Sequence, residues 1–350
     1  MTTDRIAYLV LAHLTEPGNH ELGALIRSTG PAAALDRVLH GHDLSPALTD
    51  AVTTRLAASG LSPTTAHRIA ATMQHRADQL DARIVTPADE EWPATLDHLS
   101  TITDDTDPHH RNDGPPLCLW ARGPRGVAET LTRSVSIVGA RAMTGYGQFV
   151  ASEFAHGLAE RGWTIVSGGA LGIDATAHRG ALAAGGRTVA VLPCGIDEVY
   201  PVSNSALFER IPEEGLLLTE WPPGTRPHRA RFLSRNRLIA ASQGTVLVEA
   251  ASRSGARSTL GYARLLQRSA MVVPGPITSA MSVGCHLELR RPGTVPVTQV
   301  QEIIDEVGGT GEPAPLPGRD AVQGRARPVA GPHPGAAQDA QGHLDGADGR

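Results

Sequence analysis

Two glycine-rich turns in the middle of the chain carry residue types that suit phosphate binding. In the first turn, an apolar run ends at Gly139 and Arg141 follows; in the second, the run ends in Ser167, Gly168 and Gly169. Glycine lets the backbone approach a ligand closely, and a helix that begins after such a turn offers unpaired N–H groups and a partial positive charge. These two turns therefore predict an anion-binding edge.

A strongly cationic segment follows. Residues 226–268 hold nine arginines and one acid, Glu249, a formal charge of +8, whereas the whole chain carries −5. The chain has no lysine, so every cationic contact comes from a planar guanidinium, a group that suits phosphate. The uneven charge predicts one face for a polyanion. The candidate phosphate ligands within this segment are Arg235, Asn236, Arg237, Ser254 and Gly255.

The motif spacing does not favour a cofactor or an enzyme. The turn at Gly139 reads G-x-R-x-x-x-G-x-G rather than the dinucleotide fingerprint G-x-G-x-x-G, and the sequence has no G-x-x-x-x-G-K-[ST] loop. Asp174 and His178 could form a metal or acid–base pair, but no third ligand is near, which favours a helix cap and a helix-facing histidine. Phe149, Phe232 and Tyr262 are better explained as core residues than as a stacking surface. We expect no catalytic residue, no metal and no cofactor.

The elements around the turns predict an α/β fold. Between residues 134 and 308, short apolar strands alternate with helical segments, which indicates an extended Rossmann-like, doubly wound parallel sheet. Ligands of such sheets bind beyond the carboxyl ends of the strands. Strands are predicted at Val135–Val138, Thr164–Val166, Thr188–Leu192, Leu216–Thr219, Thr245–Val248 and Met271–Val273.

The remaining segments predict three further parts of the chain. Residues 1–85 have helical periodicity and predict a small all-helical domain, and residues 86–133 predict a connector. Residues 309–350 are mostly small, polar or proline, which predicts a disordered tail. Three widely spaced cysteines, no signal peptide and no long apolar run indicate a cytoplasmic protein without a membrane segment.

Taken together, these motifs resemble the DNA-processing protein A family, known as DprA or Smf. The matching runs occur in family order between residues 134 and 295: Ser136–Arg141, Ser167–His178, Val191–Gly195 with Tyr200-Pro201, Ser234–Ala240, Glu249-Ala250 with Ser254–Ala256, and Val273–Gly275. The helical domain resembles the sterile-alpha-motif-like region of the family. The resemblance implies an extended Rossmann-like fold and a homodimer.

The resemblance also implies a function. The family binds single-stranded DNA without base specificity and loads a RecA-type recombinase onto it during natural transformation and recombination. By position, Arg141 would be the main phosphate ligand, and the same pocket would be lined by Gly168, Gly169, Arg235, Asn236 and Arg237.

A nucleotide phosphoribohydrolase of the lysine-decarboxylase-like group is the alternative function. Such enzymes share a related Rossmann-like sheet and use an arginine and a glutamate near comparable turns, and Glu249 could supply the acid. Their P-G-G-x-G-T sequence is missing here, so the DNA-binding interpretation is favoured.

Overall fold

The computed structural model describes residues 1–42, 44–59, 65–102 and 113–308, and the tail predicted over 309–350 lies outside them. The described helices are α1 (Thr3–Leu14), α2 (His20–Thr29), α3 (Pro31–His40), α4 (Pro46–Ser59), α5 (Ala66–Gln79), α6 (Val127–Thr132), α7 (Gly145–Glu160), α8 (Ile173–Ala183), α9 (Ser205–Glu214), α10 (Arg229–Ala240), α11 (Ala256–Leu265), α12 (Val283–Leu289) and α13 (Val300–Gly308). The strands are β1 (Ala82–Val85), β2 (Leu119–Arg122), β3 (Ser134–Val138), β4 (Thr164–Ser167), β5 (Thr188–Val191), β6 (Leu216–Thr219), β7 (Gly244–Leu247), β8 (Ser269–Val272) and β9 (Thr294–Pro296).

These strands form one sheet in the order β1-β2-β6-β5-β4-β3-β7-β8-β9. All neighbouring strands from β6 to β9 are parallel, with Ile137 paired to Val246, for example. The parallel, doubly wound sheet predicted from the sequence is therefore confirmed. Each of the six predicted strands lies within two residues of an observed one, because fully buried parallel strands give short continuous apolar runs.

Helices cover both faces of the sheet, which explains why the strands are apolar on both sides. On one face, Ile137 and Ile165 pack with α7 and α8 through residues such as Phe154. On the other, Val138 packs with α10 and α11 through residues such as Leu260. The order of strands reverses at β3 and β7: the chain continues from β3 to β4 on one side and from β7 to β8 on the other. This reversal opens a crevice at the carboxyl ends of β3 and β7.

The sheet extends beyond the predicted range of 134–308. Strand β1 comes from the end of the predicted helical domain and pairs antiparallel with β2, which comes from the predicted connector and pairs antiparallel with β6. Helices α1–α5 fill most of residues 1–85, and residues 1–308 belong to one compact unit. The division into separate domains stays a prediction.

Glu16 links the N-terminal helices to α10. One carboxylate oxygen accepts a hydrogen bond from Arg231 Nη2 at 3.0 Å and the other accepts one from Trp221 Nε1 at 3.2 Å. Arg55 on α4 pairs with the same carboxylate. Burial would raise the pKa of Glu16, but the bonds and charges of Arg231 and Arg55 lower it overall. The first turn of α10 is thus anchored from outside the parallel sheet.

None of the helices in the described part of the chain is both long and apolar enough to cross a membrane.

Candidate nucleic-acid interface

A groove of about 820 Å³ lies beyond the carboxyl ends of β3 and β7. Its walls are the turn after β3, the loop after β7 and one side of α10. Four arginines line it: Arg141, Arg229, Arg235 and Arg253. The groove thus occupies the edge of the sheet at which the sequence predicts an anion.

Arg141 lies in the turn between β3 and α7, with its side chain exposed on the groove wall. Its guanidinium carbon is 5.4 Å from the centre of the Phe232 ring, a cation–π contact that orients the group. Gly172, with a φ of +80°, shapes this turn from the start of α8: a Cβ there would lie 2.3 Å from the carbonyl oxygen of Ala140. Only glycine allows α8 to begin this close to the Arg141 backbone.

Arg235 lines the groove from α10, although only 4% of the residue is exposed. Its Nη1 donates to the carbonyl oxygen of Gly168 at 2.8 Å and to that of Val191, which fixes the guanidinium. Burial lowers the pKa of Arg235 to about 10, and the charge of Asp174 opposes that shift, so the group is cationic at neutral pH. A cation with so little surrounding water attracts an approaching phosphate strongly.

The turn that contains Ser167, Gly168 and Gly169 supports the groove from behind and does not line it. Ser167 is fully buried, and its Oγ donates to the carbonyl oxygen of Ile137 at 2.6 Å. Gly169, with a φ of +69°, packs against Phe208, and Gly168 packs against the Arg235 guanidinium. These residues hold Arg235 in place, whereas the sequence predicted that they would contact the phosphate themselves.

The other predicted residues do meet at the groove. Gly139 follows β3 on the wall of the groove, and a Cβ there would lie 2.7 Å from the Ile173 side chain, which explains the glycine. Asn236 Nδ2 donates to Ser258 Oγ at 2.9 Å and so ties α10 to α11. Ser254 and Gly255, in the loop before α11, line the groove, and the space around Gly255 is open.

Arg237 contradicts its predicted role as a phosphate ligand. The residue is fully buried on the side of α10 that faces away from the groove, and its guanidinium forms two 2.6 Å hydrogen bonds to the two carboxylate oxygens of Glu220. Its Nε donates to the carbonyl oxygen of Gly114 at 2.9 Å. Burial alone would lower the pKa of Arg237, but the Glu220 carboxylate raises it. Arg237 therefore fastens α10 to β6 and to the segment before β2.

The cationic segment also carries less uncompensated positive charge than its local composition predicts. Four of its nine arginines pair with acids from other parts of the chain: Arg231 with Glu16, Arg237 with Glu220, and Arg257 and Arg264 with Glu288. A count over residues 226–268 omits these acids because they lie outside the segment. Three arginines of the segment, Arg229, Arg235 and Arg253, line the groove.

Comparison with known proteins assigns the family. The family model for DNA recombination-mediator protein A matches residues 83–308 of the chain. The DNA processing protein DprA of Mycobacterium tuberculosis is 43% identical over 322 residues, which is 89% of this chain and 78% of that protein. The chain belongs to the DprA family. The resemblance inferred from the sequence motifs is thereby confirmed.

Solved structures of DprA proteins share the fold. The X-ray structure of DprA from Streptococcus pneumoniae aligns with a TM-score of 0.63 and 27% identity, and covers 87% of this chain and 98% of that one. The structure of DprA from Helicobacter pylori, which addresses the single-stranded DNA binding mode of that protein, aligns with a TM-score of 0.54 and 29% identity, and covers 65% of this chain and 96% of that one.

Sequence reasoning did not single out three of the residues that line the groove in this DprA-family chain. Arg229 and Arg253 were counted only as part of the cationic segment, and Tyr200 was noted only within a family motif. Tyr200 meets Phe232 edge-on, with 5.4 Å between ring centres. The available signal was the position of each residue after a strand that ends at this edge. Of the three aromatic candidates, Phe232 lines the groove, Phe149 is exposed and Tyr262 is buried.

Asp174 and His178 take structural positions. Asp174 is buried and accepts a hydrogen bond from the Ala170 N–H at 3.4 Å, while His178 Nδ1 lies 2.7 Å from Thr188 Oγ1. Within the described ranges, no group of three or more histidine, cysteine, aspartate or glutamate side chains could hold a metal ion. Burial, and then the charge of Arg235, lower the pKa of His178 to about 3.

Acid is expected to destabilise the fold through His178. The unfolded chain binds a proton at this histidine near its ordinary pKa of 6.5, whereas the folded protein does so only near 3. Stability should therefore be unaffected above about pH 7 and fall by about 1.4 kcal/mol per pH unit between about pH 6 and pH 3. Urea denaturation of wild type and His178→Asn at pH 7.0, 5.5 and 4.5 measures this loss. The pH dependence of the unfolding free energy should be weaker in His178→Asn by the amount that one proton contributes. His156→Asn, at a partly exposed histidine, is the control and should keep the wild-type pH dependence. An equal pH dependence for all three proteins would contradict the assignment.

Proposed function

We propose that the chain binds single-stranded DNA without sequence preference in the groove at the switch point of the sheet, and delivers that strand to a RecA-type recombinase. The observation that carries this proposal is the convergence of four guanidinium groups, Arg141, Arg229, Arg235 and Arg253, on one groove. Membership of the DprA family and the single-stranded DNA binding of the Helicobacter pylori relative support it.

The chemistry of the groove suits a backbone rather than a base sequence. The arginine side chains at the carboxyl edge of the sheet suit phosphate oxygens, which are the same at every nucleotide of a DNA strand. Asp174 is the one acidic lining residue among those described, and it is buried and bonded to the backbone N–H of Ala170. Contacts of this kind give binding that depends strongly on salt and weakly on sequence.

We propose no catalytic role for the groove. Glu249, the acid that a phosphoribohydrolase would need here, is buried and is not among the lining residues. One of its carboxylate oxygens accepts from the Thr144 N–H at 2.9 Å and the other from Thr144 Oγ1 at 2.6 Å. Glu249 thus holds the start of α7 against the end of β7, a structural task that leaves the enzyme alternative without its acid.

The test is a salt titration of single-stranded DNA binding by wild type and Arg141→Ala. Loss of one phosphate contact should weaken binding to oligo-dT, oligo-dA and mixed strands by similar factors, and should reduce the slope of log K against log salt by about 0.7. Arg133→Ala is the matched control, since Arg133 also lies over an aromatic ring, at 4.8 Å from the Trp163 ring centre, but precedes β3 at the opposite edge of the sheet. Unchanged affinity and slope for Arg141→Ala would contradict the proposal.

Delivery to the recombinase and homodimer formation are proposed from family membership. Exposed apolar side chains on α7, on α12 and in the loop between β8 and α12, such as Phe149, Leu287 and the 90% exposed Ile277, support contact with a second copy. Strand exchange by a RecA-type recombinase on DNA coated with single-strand-binding protein, with and without this chain, measures delivery. Sedimentation velocity measures the dimer. We further propose that the protein acts in the cytoplasm, where its three buried cysteine thiols would remain reduced.

A further inference from the structure

Two loops beside the groove expose large apolar side chains. Leu171 lies in the loop between β4 and α8, and Val199, Tyr200 and Val202 lie between β5 and α9. Each of these four side chains is between 40% and 74% exposed. We call these four residues the apolar platform. Contiguous exposed apolar residues of this kind mark an interaction surface more often than isolated ones do.

A buried asparagine holds the two loops together. Asn204 is 2% exposed, and its Nδ2 donates to the carbonyl oxygens of Gly169 at 3.0 Å and Ala170 at 3.3 Å. Its Oδ1 accepts from Arg179 Nη2 at 3.5 Å. Because both ends of the Asn204 amide are engaged, the platform is a fixed surface formed by both loops.

The platform is continuous with the groove. Tyr200 and Ala170 line the groove themselves, and the Tyr200 ring meets the Phe232 ring that lies under Arg141. A DNA strand whose phosphates lie between Arg141 and Arg235 therefore has the platform beside it. The bases project sideways from such a backbone and can reach the platform.

Charge separates the two surfaces. The four platform residues carry no charge; Asp197 and Glu198 precede them in sequence, and Arg179 bonds to Asn204 between the two loops, whereas the groove contains four arginines. The platform therefore attracts phosphate less than the groove does. An uncharged nucleobase, which buries its apolar face without loss of solvated charge, fits this surface.

We propose that the apolar platform binds the nucleobases of the single strand whose phosphates occupy the groove. This proposal rests on the proposed function and adds the base-binding half of the site. Leu171, Val199 and Val202 offer apolar contact without directed hydrogen bonds, so every base is accepted. The platform would therefore favour single strands over duplex DNA, in which the faces of the bases are stacked and inaccessible.

The test compares a mixed-sequence oligonucleotide with an oligonucleotide of the same length and label in which abasic residues replace the nucleotides. The second strand keeps every phosphate and lacks the bases. Fluorescence anisotropy is measured for wild type, for Leu171→Ser/Val202→Ser and for Arg141→Ala. Leu265→Ser, which removes an exposed leucine of α11 that does not line the groove, is the matched control.

We expect the double variant to bind the normal strand about tenfold more weakly, the size of a modest base contact, and the abasic strand within about twofold of wild type. Arg141→Ala should weaken both strands. Equal losses on the two strands, or no loss on either, would overturn the base platform while leaving the phosphate groove intact. An unaffected Arg141→Ala variant would instead overturn the proposed function. Unchanged DNA binding by the double variant together with lost recombinase delivery would assign the platform to a protein partner and reject the proposal.

Discussion

Replacing Arg237 with methionine is expected to lower the free energy of unfolding by about 3–5 kcal/mol. The variant leaves the Glu220 carboxylate fully buried without the guanidinium that now donates to both of its oxygens. It also leaves the carbonyl oxygen of Gly114 without the Arg237 Nε donor. Urea denaturation at pH 7 measures the loss, and circular dichroism at low urea confirms that the variant folds.

Two further variants make this expectation specific to the buried pair. Arg237→Met/Glu220→Leu removes both charges and should recover most of the stability, since an apolar pair of similar volume replaces the ion pair. Arg253→Met removes an exposed arginine of the groove and should change stability by no more than about 0.5 kcal/mol. If Arg237→Met kept wild-type stability but lost DNA affinity, Arg237 would be a ligand after all.

The second large effect is expected at Arg235. Arg235→Ala should weaken single-stranded DNA binding by about thirtyfold or more, a greater loss than at the exposed Arg141, because a desolvated, oriented cation contributes more to binding than a solvated one. Anisotropy with labelled oligo-dT measures this loss. Unfolding is followed in parallel, because Asp174 would lose the positive charge that opposes the rise of its pKa on burial.

Two glycine variants test the same guanidinium without removing it. At Gly168 a Cβ would lie 2.5 Å from Arg235 Nη2, so Gly168→Ala should displace the guanidinium and weaken DNA binding in the same direction. At Gly261, in α11 and not among the residues that line the groove, a Cβ meets nothing within 4 Å, so Gly261→Ala should bind DNA as wild type does. Equal behaviour of the two variants would show that the position of Arg235 does not control binding.

Much of the sheet could be predicted because its signals are local. A buried parallel strand is a short apolar run, and Leu216–Thr219 was predicted with the bounds that the structure has. Strand β2 was missed because it lies in a segment that was interpreted as a connector, outside the run of alternating strands and helices. Its place in the sheet comes from pairing with β6, almost a hundred residues later, which no local pattern contains.

The site was predictable to the extent that it follows strand ends. Gly139 and Arg141 lie in the turn after β3 and Gly255 lies in the loop after β7, two strands whose carboxyl ends meet, and all three line one groove. The orientation of α10 could not be predicted: its helical phase turns Arg235 toward the groove and Arg237 toward Glu220, although both belong to one three-residue motif. The acid that decides between these two roles lies 17 residues away from Arg237.

Strand β1 has a consequence for any shortened form of the chain. It covers β2, whose Leu119, Trp120 and Ala121 are fully buried. Cutting the chain between residue 85 and the start of β2 would remove β1 with the helices before it and leave β2 with a row of unpaired backbone groups beside apolar side chains. Bare, apolar strand edges recruit further strands, so a chain cut in this way is expected to self-associate and precipitate. Strand β1 in this sense protects the sheet against aggregation.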